Sequence, residues 1–481
     1  MAGLRRDVMR RLLVAATIAF LCASALPTAS QAANTPRPGA PCPQAGMTYQ
    51  LGTKWLQCQK RKGKLIWVVV TGGNEDILDQ PVPANGVWKV PKGFPSDVPP
   101  FGWRGEPSWF RSEWEMTTTQ PIGKCASATP LKNFAADLTG IKAITGQGFM
   151  QPGSHALPVP HMYYATLPES GVDEQGFATL SKRVDVYAPA DMTLRGLGTS
   201  ITSADGRPRT EYILNFSVCG TLWFFTAHLG SLNSAIASAY AKAPRKECFD
   251  TGITGAPQSC LYGYLSVKVK AGTVIGRSSG YSAGFDFGLA DASSPIPGRL
   301  DPAAYSPRWS TSRCHLDYYP AAMRSQLTAL LIGDNGCGQL GSDQAGTASG
   351  VWLAVGKRDL SHRENLHIAL AKHWSDKDLR VISIGWDSNV PGVPGARYVF
   401  TPTMEGNNRD FTLVKPGEVV CYDNLDQQWP QSPSSTAPSI YVTMTTGTVE
   451  TLQIGGAAGS CPANPTMPAE VKTFERRNTV A

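Results

Sequence analysis

The sequence predicts a mainly β protein, and three observations carry this prediction. The 481-residue chain contains 48 glycines and 37 prolines, which suits many short strands joined by turns. Apolar residues make up 42% of the chain and charged residues 17%, so the chain can bury enough apolar surface to fold. Short runs rich in β-branched and aromatic residues recur along it. At roughly 100–200 residues per domain, the length predicts two to four domains.

Residues 1–32 have the pattern of an export signal. Four arginines precede an apolar run from Leu12 to Leu26, which is short for a membrane span, and Ser30-Gln31-Ala32 offers the small residues of a cleavage site. Removing this segment takes away four arginines and one aspartate and lowers the formal net charge from +7 to +4. That charge does not indicate nucleic-acid binding and fits loose attraction to an anionic envelope. No later apolar stretch approaches ~20 residues, so we expect no transmembrane segment in the mature chain.

The cysteines predict disulfides in an exported protein. Cys22 lies in the signal after Leu21, where lipidation requires a small residue, and its removal leaves an even number of cysteines. The sequence does not determine the connectivity, and no paired C-x-x-C motif suggests a zinc ribbon. Nearest-neighbour pairing predicts the bonds Cys42–Cys58, Cys248–Cys260, Cys314–Cys337 and Cys421–Cys461, and it leaves Cys125 with Cys219.

Residues 41–70 predict a small three-stranded unit. Its strands are expected at Met47–Leu51, Lys54–Gln59 and Leu65–Val70. The unit resembles short modules near the N-termini of exported bacterial envelope proteins. The basic run Lys60–Lys64 is expected to be a solvated hairpin tip, with binding to an anionic wall polymer or phospholipid surface as the alternative.

The next segment is rich in proline and aromatic residues, and we interpret it as an ordered, irregular connector. Trp103 and Trp109 are candidate ligand-binding residues there, because aromatic rings stack on sugars. Packing of the connector against the barrel that follows is the favoured interpretation, since large aromatic side chains bury well.

Most of the remaining chain predicts strands and turns. The first group is expected at Arg183–Tyr187, Glu211–Val218, Leu222–Ala227, Leu265–Val269 and Phe285–Leu289. Pro320–Ile332 is the clearest helix, because a proline opens it and apolar residues share one face. Later strands are expected where Leu366, Ile368 and Leu370 alternate with other residues, and at Arg397–Phe400, Phe411–Val414, Val419–Tyr422, Ile440–Thr445 and Val449–Ile454.

Three sequence blocks carry a family resemblance. They are Val186–Leu194, Trp223–Leu229 and Val267–Gly276, the last followed by Gly280 and Gly284–Leu289. Together they resemble the lysostaphin-like (M23) metallopeptidase domain, a barrel-sandwich hybrid or duplicated hybrid motif. The resemblance covers residues 184–294. Its turns need glycine where the chain reverses with positive φ, and we expect Gly272, Gly276 and Gly280 to supply it.

The resemblance implies a zinc centre, but the chain departs from the family pattern. In the family, zinc is held by a histidine and an aspartate of an H-x-x-x-D motif and by the second histidine of a closing H-x-H. Here the residue four after His161 is Ala165, and the closing strand has Gly284 and Asp286 in place of the two histidines. Only His228 matches, at the position of an assisting histidine. We therefore expect a catalytically degenerate barrel with no cofactor; the alternative is zinc held by His161, His228 and Asp286.

His228 and Asp286 are the candidate catalytic residues by family position, where we expect them to be vestigial, and they are also candidate ligand-binding residues. The structural expectation is that the His228 side chain forms hydrogen bonds inside the polar opening of the barrel. Asp286 is expected to be a buried carboxylate that accepts backbone, arginine or tyrosine hydrogen bonds. His362 and His367 are five residues apart, which does not suit a zinc-binding helix, so we expect an exposed strand edge there.

These observations predict five segments. They are a signal peptide (1–32), a small disulfide-stapled β-unit (33–75), a Pro/aromatic connector (76–130), a degenerate M23-like barrel with a helical extension (131–345) and a C-terminal β-domain (346–481).

The motif Gly346–Trp352, with the segments after it, resembles a tail of exported proteins that carry such degenerate barrels. The expected function is a secreted, non-catalytic envelope-associated or ligand-binding protein in a bacterial envelope, with a cell-wall polymer or a small ligand as partner. The alternative is a zinc-dependent peptidoglycan or peptide hydrolase with unusual ligands. A third hypothesis is a scaffold that activates a partner hydrolase.

Overall fold

Strands dominate the structure, a computed structural model, with 43% strand and 9% helix, which confirms the mainly β prediction. The signal peptide, the Cys42–Cys58 bond, Trp103 and Trp109 lie outside the residues described. The structure describes residues 37–41, 48–51, 54–70, 124–173, 178–202, 209–243, 245–250, 258–263, 265–291, 296–301, 305, 309, 311–357, 364–430 and 437–478.

The strands fall into three groups along the chain. The first group is β1 Thr48–Leu51, β2 Lys54–Arg61 and β3 Lys64–Val70. The second is β4 Ile141–Thr145, β5 Met162–Thr166, β6 Pro168–Val172, β7 Ala178–Ser181, β8 Asp185–Tyr187, β9 Met192–Thr202, β10 Arg209–Ser217, β11 Leu222–Leu232, β12 Arg245–Asp250, β13 Gln258–Gly263, β14 Val267–Val269, β15 Val274–Ser278, β16 Gly284–Asp291 and β17 Ser312–Arg313. The third is β18 Gly350–Ala354, β19 Ile368–Lys372, β20 Arg380–Ile384, β21 Arg397–Phe400, β22 Val420–Tyr422, β23 Asp426–Trp429, β24 Ser439–Thr445, β25 Val449–Ala457 and β26 Lys472–Arg477.

Twelve strands of the second group form one antiparallel sheet that curls into a half-barrel. The main path runs β12-β13-β9-β10-β11-β16-β5-β4, while β14, β15, β8 and β17 pair alongside it. Strands β6 and β7 form a separate hairpin. The inner face buries a large apolar cluster that includes Phe216, Phe224, Phe285 and Phe287. Each such side chain contributes roughly 1.5–3 kcal/mol when it is fully buried, so this cluster is a major source of stability.

Glycines permit close contacts in the predicted turn block. Gly272 and Gly280 have φ values of 81° and 71°, which confirms the expected positive φ at these turns. The expectation for Gly276 was wrong, because this residue lies within β15 and is not among the positive-φ residues. Position 276 needs a glycine for a different reason. A Cβ there would lie 2.5 Å from the Ser231 carbonyl oxygen.

The third group forms a nine-stranded antiparallel sheet in the order β22-β24-β25-β26-β18-β19-β20-β21-β23. Alternation along β19 was expected to leave one face half-buried, but Ile368 to Ala371 are all buried. The reason is that both faces of this part of the sheet are covered. Ile368 and Leu370 belong to one apolar cluster, and Ala369 and Ala371 belong to another that includes Met150 and Leu157.

The bridging segment (residues 146–161), which joins β4 to β5, covers that second face. Its backbone carbonyls accept hydrogen bonds from the nine-stranded sheet. Arg397 Nη1 donates to the Met150 oxygen at 2.7 Å, and Ser383 Oγ donates to the Ala156 oxygen at 2.6 Å. These bonds tie the two large sheets together next to His161.

Two short α-helices accompany the sheets. Helix α1 (Ser234–Ala241) was not predicted; Asn233 caps it by accepting a hydrogen bond from the Ile236 N–H at 2.8 Å. Helix α2 (Ala321–Thr328) confirms the predicted helix in a shorter form, with Leu327 buried. No helix among the described residues is long and apolar enough to cross a membrane.

Two local predictions in the last third of the chain were wrong. Phe411–Leu413 is a 3-10 helix and not a strand, because the Asp410 side chain accepts a hydrogen bond from the Thr412 N–H at 2.9 Å. His367 is fully buried and not at an exposed strand edge. Its Nδ1 accepts a hydrogen bond from the Ala354 N–H at 3.0 Å, and Glu364–Leu366 before it forms a 3-10 turn.

Three predicted disulfides are confirmed: Cys125–Cys219, Cys314–Cys337 and Cys421–Cys461. Cys260 is also disulfide-bonded, and Cys248 lies opposite it in the register of β12 and β13, as the predicted pair requires. Disulfides of this kind are typical of proteins that fold in an oxidising compartment. The limits of the five predicted segments stay a prediction.

The small sheet ends in the predicted basic hairpin tip. Lys62 and Gly63 form its turn with φ values of 47° and 83°. All residues from Lys60 to Lys64 are exposed, so the expectation of a solvated tip is confirmed.

A buried arginine at the end of β26 binds strand β25 and the loop that precedes β18. Arg476 Nε donates to Glu450 Oε2 at 2.9 Å, and the same guanidinium donates to the carbonyl oxygens of Gln344 (3.1 Å) and Thr347 (2.9 Å). It also lies 4.1 Å from the ring centroid of Trp352. Arg476 therefore orders the Gly346–Trp352 motif and neutralises a carboxylate that is only 2% exposed.

Replacing this arginine should destabilise the fold. Arg476→Leu leaves Glu450 charged, buried and unpaired, so we expect the free energy of unfolding to fall by about 3 kcal/mol or more. Urea denaturation of the full chain measures the loss. Arg324→Leu is the control, because its ion pair with Asp317 is exposed and should change stability by less than about 1 kcal/mol. Equal losses in both variants would contradict the assignment.

Candidate functional site

A backbone irregularity sets the position of His228. In the pairing of β10 with β11, Leu214 faces Thr226 and Tyr212 faces Leu229, so two residues of β11 oppose one residue of β10. This is a β-bulge, and His228 within it has a φ of 61°. A histidine in the left-handed region is uncommon, and such strain persists only where surrounding contacts hold it. The bulge therefore indicates that surrounding contacts fix the direction of the His228 side chain.

Two carboxylates provide these contacts. His228 Nδ1 lies 3.0 Å from Glu211 Oε2, and its Nε2 lies 3.7 Å from Asp286 Oδ2. Burial alone would lower the pKa of His228, but the Asp286 and Glu211 carboxylates outweigh it and raise the pKa to about 10. The ring is therefore an imidazolium at neutral pH, with both N–H groups directed at acids. Because 34% of its side chain is exposed, it is also the part of this cluster that solvent or a ligand reaches.

Glu211 is the partner that the sequence analysis missed. It lies on β10, is 2% exposed, and accepts a short hydrogen bond from Ser279 Oγ. Burial opposes its ionisation, but His228, Ser279 and Arg209 together lower its pKa. The available signal was a glutamate within a predicted strand, just before the apolar residues Tyr212, Ile213 and Leu214. Ser282 Oγ lies 3.1 Å from His228 Nδ1 and adds a second contact from the glycine-turn block.

Asp286 joins His228 to His161. The carboxylate is 5% exposed, and its Oδ2 lies 3.4 Å from His161 Nε2. The expected burial of Asp286 is confirmed, and the structure adds two imidazoles close to this carboxylate. Tyr163 lies opposite Asp286 in the register of β5 and β16. Burial, then the Asp286 and Glu364 carboxylates, raise the pKa of Tyr163 and keep it protonated.

The bridging segment extends the cluster toward the nine-stranded sheet. The ring of His155 lies 5.5 Å from that of His161, edge to face, and His155 Nδ1 lies 3.3 Å from Glu364 Oε1. The structure thus brings His161, His228 and Asp286 together, as the alternative prediction required. It adds Glu211 at one end and the His155–Glu364 pair at the other.

Two of the three residues that depart from the M23 pattern pair with each other across the sheet. Gly284 on β16 pairs directly with Ala165 on β5. A Cβ on Gly284 would lie 1.8 Å from the Tyr164 carbonyl oxygen, so the strands pass too closely for any side chain there. The closing strand therefore excludes a histidine at position 284 unless the backbone moves.

The residues present do not fit the zinc centre that the resemblance implies. A zinc-bound histidine must be neutral, whereas the two carboxylates hold His228 in its charged form. His161 and Asp286 then remain as two ligands, and catalytic zinc sites use three from the protein. Within the described ranges, no group of three His, Cys, Asp or Glu side chains has the arrangement of a metal site.

The β6–β7 hairpin forms a wall beside His228. Ser181 Oγ donates to the Ser282 carbonyl oxygen at 2.8 Å, and the Leu180 N–H donates to the Gly280 oxygen at 2.7 Å. The buried residues Thr179 and Ser181 form the hairpin face that packs on the glycine-turn block, while Val172 and Leu180 lie on the opposite, exposed face. The hairpin therefore supports the turn that carries Ser282 beside His228.

Comparisons with family models, with curated protein sequences and with solved structures find no match to this chain. The class of protein that the fold and site define is a mainly β protein with a histidine–carboxylate cluster in a curled sheet.

The charge state of His228 predicts a specific pH dependence. Its pKa in the folded chain, about 10, lies above the unfolded value of about 6.5. Its stabilising contribution is therefore complete below about pH 6.5 and is lost as the pH rises through about 10. We expect the gap in unfolding free energy between the wild type and His228→Gln to narrow over this range. Denaturation curves at several pH values measure the gap, and a constant or widening gap would contradict the ion-pair assignment.

The close contact at Gly284 predicts a cost for any side chain. Gly284→Ala should destabilise the chain by about 2 kcal/mol or more, because a methyl group must push β16 away from β5. Gly171→Ala is the matched control, since a Cβ there meets only Thr179 Oγ1 at 3.3 Å on the exposed hairpin. Urea denaturation of both variants gives the comparison. If Gly284→Ala costs no more than the control, the strands are less close than described.

Proposed function

We propose that the chain is a secreted, non-catalytic ligand-binding protein of a bacterial envelope, built on a degenerate M23-like barrel. The observation that carries the proposal is the engagement of both ring nitrogens of His228 by buried carboxylates. While it holds both protons, an imidazolium between two acids has no free nitrogen lone pair with which to ligate a metal or accept a proton from water. It can bind a polar ligand through its exposed portion while the buried acids keep it fixed.

Further observations support the non-catalytic interpretation. Gly284 and Ala165 occupy two of the family's functional positions and face each other where the backbones are closest. Restoring the family's side chains there requires a rearranged sheet, so the loss is part of the architecture. The disulfides are in keeping with a chain that folds outside the cytoplasm.

The ligand that best suits the site is a cell-wall fragment with polar groups. His228 offers a positive charge at the surface, while Glu211 and Asp286 leave the buried cluster with a negative balance. Ser282 Oγ, 3.1 Å from His228 Nδ1, adds a hydroxyl group. A short wall peptide, with amide and carboxylate groups, matches these features.

One observation favours the alternative, a zinc-dependent hydrolase with unusual ligands. The Nε2 atoms of His161 and His228 both approach the same oxygen of Asp286, at 3.4 and 3.7 Å. Tetrahedral zinc with bonds of about 2.0 Å separates its ligand atoms by similar distances. For this alternative to hold, the metal must displace the proton that Glu211 and Asp286 stabilise on His228.

Metal analysis separates the two functions. The full oxidised chain is equilibrated with zinc, dialysed and analysed by mass spectrometry for bound metal. We expect substoichiometric zinc that is unchanged in the His228→Ala/Asp286→Ala double variant, because His228 is already charge-paired. Stoichiometric zinc in the wild type that the double variant loses would overturn the non-catalytic proposal in favour of the hydrolase.

Ligand binding is tested with soluble muropeptides from digested peptidoglycan. Calorimetry should detect binding to the wild type that weakens in His228→Gln, and chromatography of the same mixture should show no cleaved peptide. His373→Gln is the matched control, because it replaces another buried histidine, which directly follows β19 and stacks on Trp374. Cleavage that a zinc chelator abolishes would contradict the proposal, as would the absence of binding.

A further inference from the structure

Two exposed tryptophans lie against the bridging segment, although both are far from it in sequence. Trp386 is 44% exposed and Trp429 is 36% exposed. Within the described part of the chain, they are the tryptophans among the exposed large apolar side chains. Both adjoin the dipeptide Pro152-Gly153, so the fold places them on one surface.

Trp386 is held flat by two glycines. A Cβ built on Gly153 would lie 2.7, 2.7 and 2.9 Å from three consecutive atoms of the indole six-membered ring, Cη2, Cζ2 and Cε2. Nearly equal distances to consecutive atoms mean that Gly153 lies over the face of the ring and not at its edge. Gly395 abuts the other end, where a Cβ would lie 2.8 Å from Trp386 Cδ1. Since one face rests on Gly153, the exposed 44% is largely the opposite face.

Asn365 holds Gly153 and Trp386 in these positions. Its side chain accepts a hydrogen bond from the Gly153 N–H at 2.8 Å and donates one to the Gly153 carbonyl oxygen at 3.0 Å. The same Oδ1 lies 3.4 Å from the Trp386 backbone nitrogen. Asn365 is 8% exposed, so these hydrogen bonds are protected from water. The indole is therefore ordered before any ligand arrives, which lowers the entropic cost of binding.

Trp429 is held beside it at the edge of the sheet. It ends β23, the last strand of the nine-stranded sheet, and its Nε1 donates to the Pro152 carbonyl oxygen at 3.0 Å. Covalent geometry joins that oxygen to Gly153, and so the Trp429 Nε1 atom and the Trp386 ring are no more than about 10 Å apart. This is close to the length of two sugar units in an extended chain.

Polar groups border the two rings. Asp387 and Asn389 are exposed in the turn that carries Trp386, and the Asn389 side chain donates to the Asp387 carbonyl oxygen at 2.9 Å. Gln427 lies two residues before Trp429 and is partly exposed. The surface therefore has flat aromatic faces with carboxylate and amide groups at the rim.

We propose that Trp386 and Trp429 form a carbohydrate-binding platform for a β-linked glycan chain. The flat apolar faces of pyranose rings stack on open indole faces, and their hydroxyl groups need donors and acceptors at the rim. An apolar peptide side chain would instead require a concave pocket that encloses it. The platform lies on the nine-stranded sheet and does not depend on the function proposed for His228.

Calorimetric titration of the full chain with chitohexaose and with cellohexaose tests the platform. The wild type should bind at least one of these oligosaccharides, and Trp386→Ala and Trp429→Ala should each weaken binding roughly tenfold or more. Gly153→Ala should have a similar effect, because its Cβ displaces the Trp386 ring. Trp386→Tyr keeps a flat ring and should retain most of the affinity.

Met404→Ala is the matched control, since it removes an apolar side chain that is 75% exposed in the loop after β21. Circular dichroism confirms that each variant is folded. The proposal is overturned if neither oligosaccharide binds the wild type, or if the tryptophan variants bind as tightly as Met404→Ala. It is also overturned if the surface binds only an apolar dye, because the tryptophans would then be a docking site for apolar groups.

Discussion

Two buried carboxylates on β10 and β16, the strands on either side of β11, impose the central constraint on the curled sheet. Glu211 and Asp286 are 2% and 5% exposed, and burying two negative charges is costly unless a cation lies between them. His228 supplies that cation only because a β-bulge turns it toward both acids. The bulge, the serine-rich glycine turn that supports Glu211, and the position of β16 therefore belong to one electrostatic unit.

The absence of a side chain at position 284 shapes the same region. Gly284 allows β16 to pass against the Tyr164 carbonyl, and this close pairing brings Asp286 level with Tyr163. Position 284 thus serves strand packing. The proposals of ligand binding and of hydrolysis differ in one physical respect, which is whether His228 holds a proton or a metal.

The bridging segment links this cluster to the second sheet. Its backbone carbonyls accept hydrogen bonds from Arg397, Ser383 and Trp429, while His155 and His161 reach the cluster from its other side. The segment therefore contacts both the histidine–carboxylate cluster of the curled sheet and the surface that carries Trp386 and Trp429. The short, ordered segment between them keeps the two surfaces in a fixed relation.

The sequence alone determined the features that depend on local patterns. These include the mainly β class, most strand positions, the α2 helix, and His161, His228 and Asp286 as candidate site residues. The even number of cysteines indicated disulfides, while the structure decided their connectivity. Only the tertiary structure decided which side chains surround them. Glu211, the Gly284–Ala165 pairing, the burial of His367 and the partnership of Trp386 with Gly153 involve residues far apart in the chain. Local propensity carries no information about such contacts, because strand register, bulges and the packing of one sheet on another bring them together.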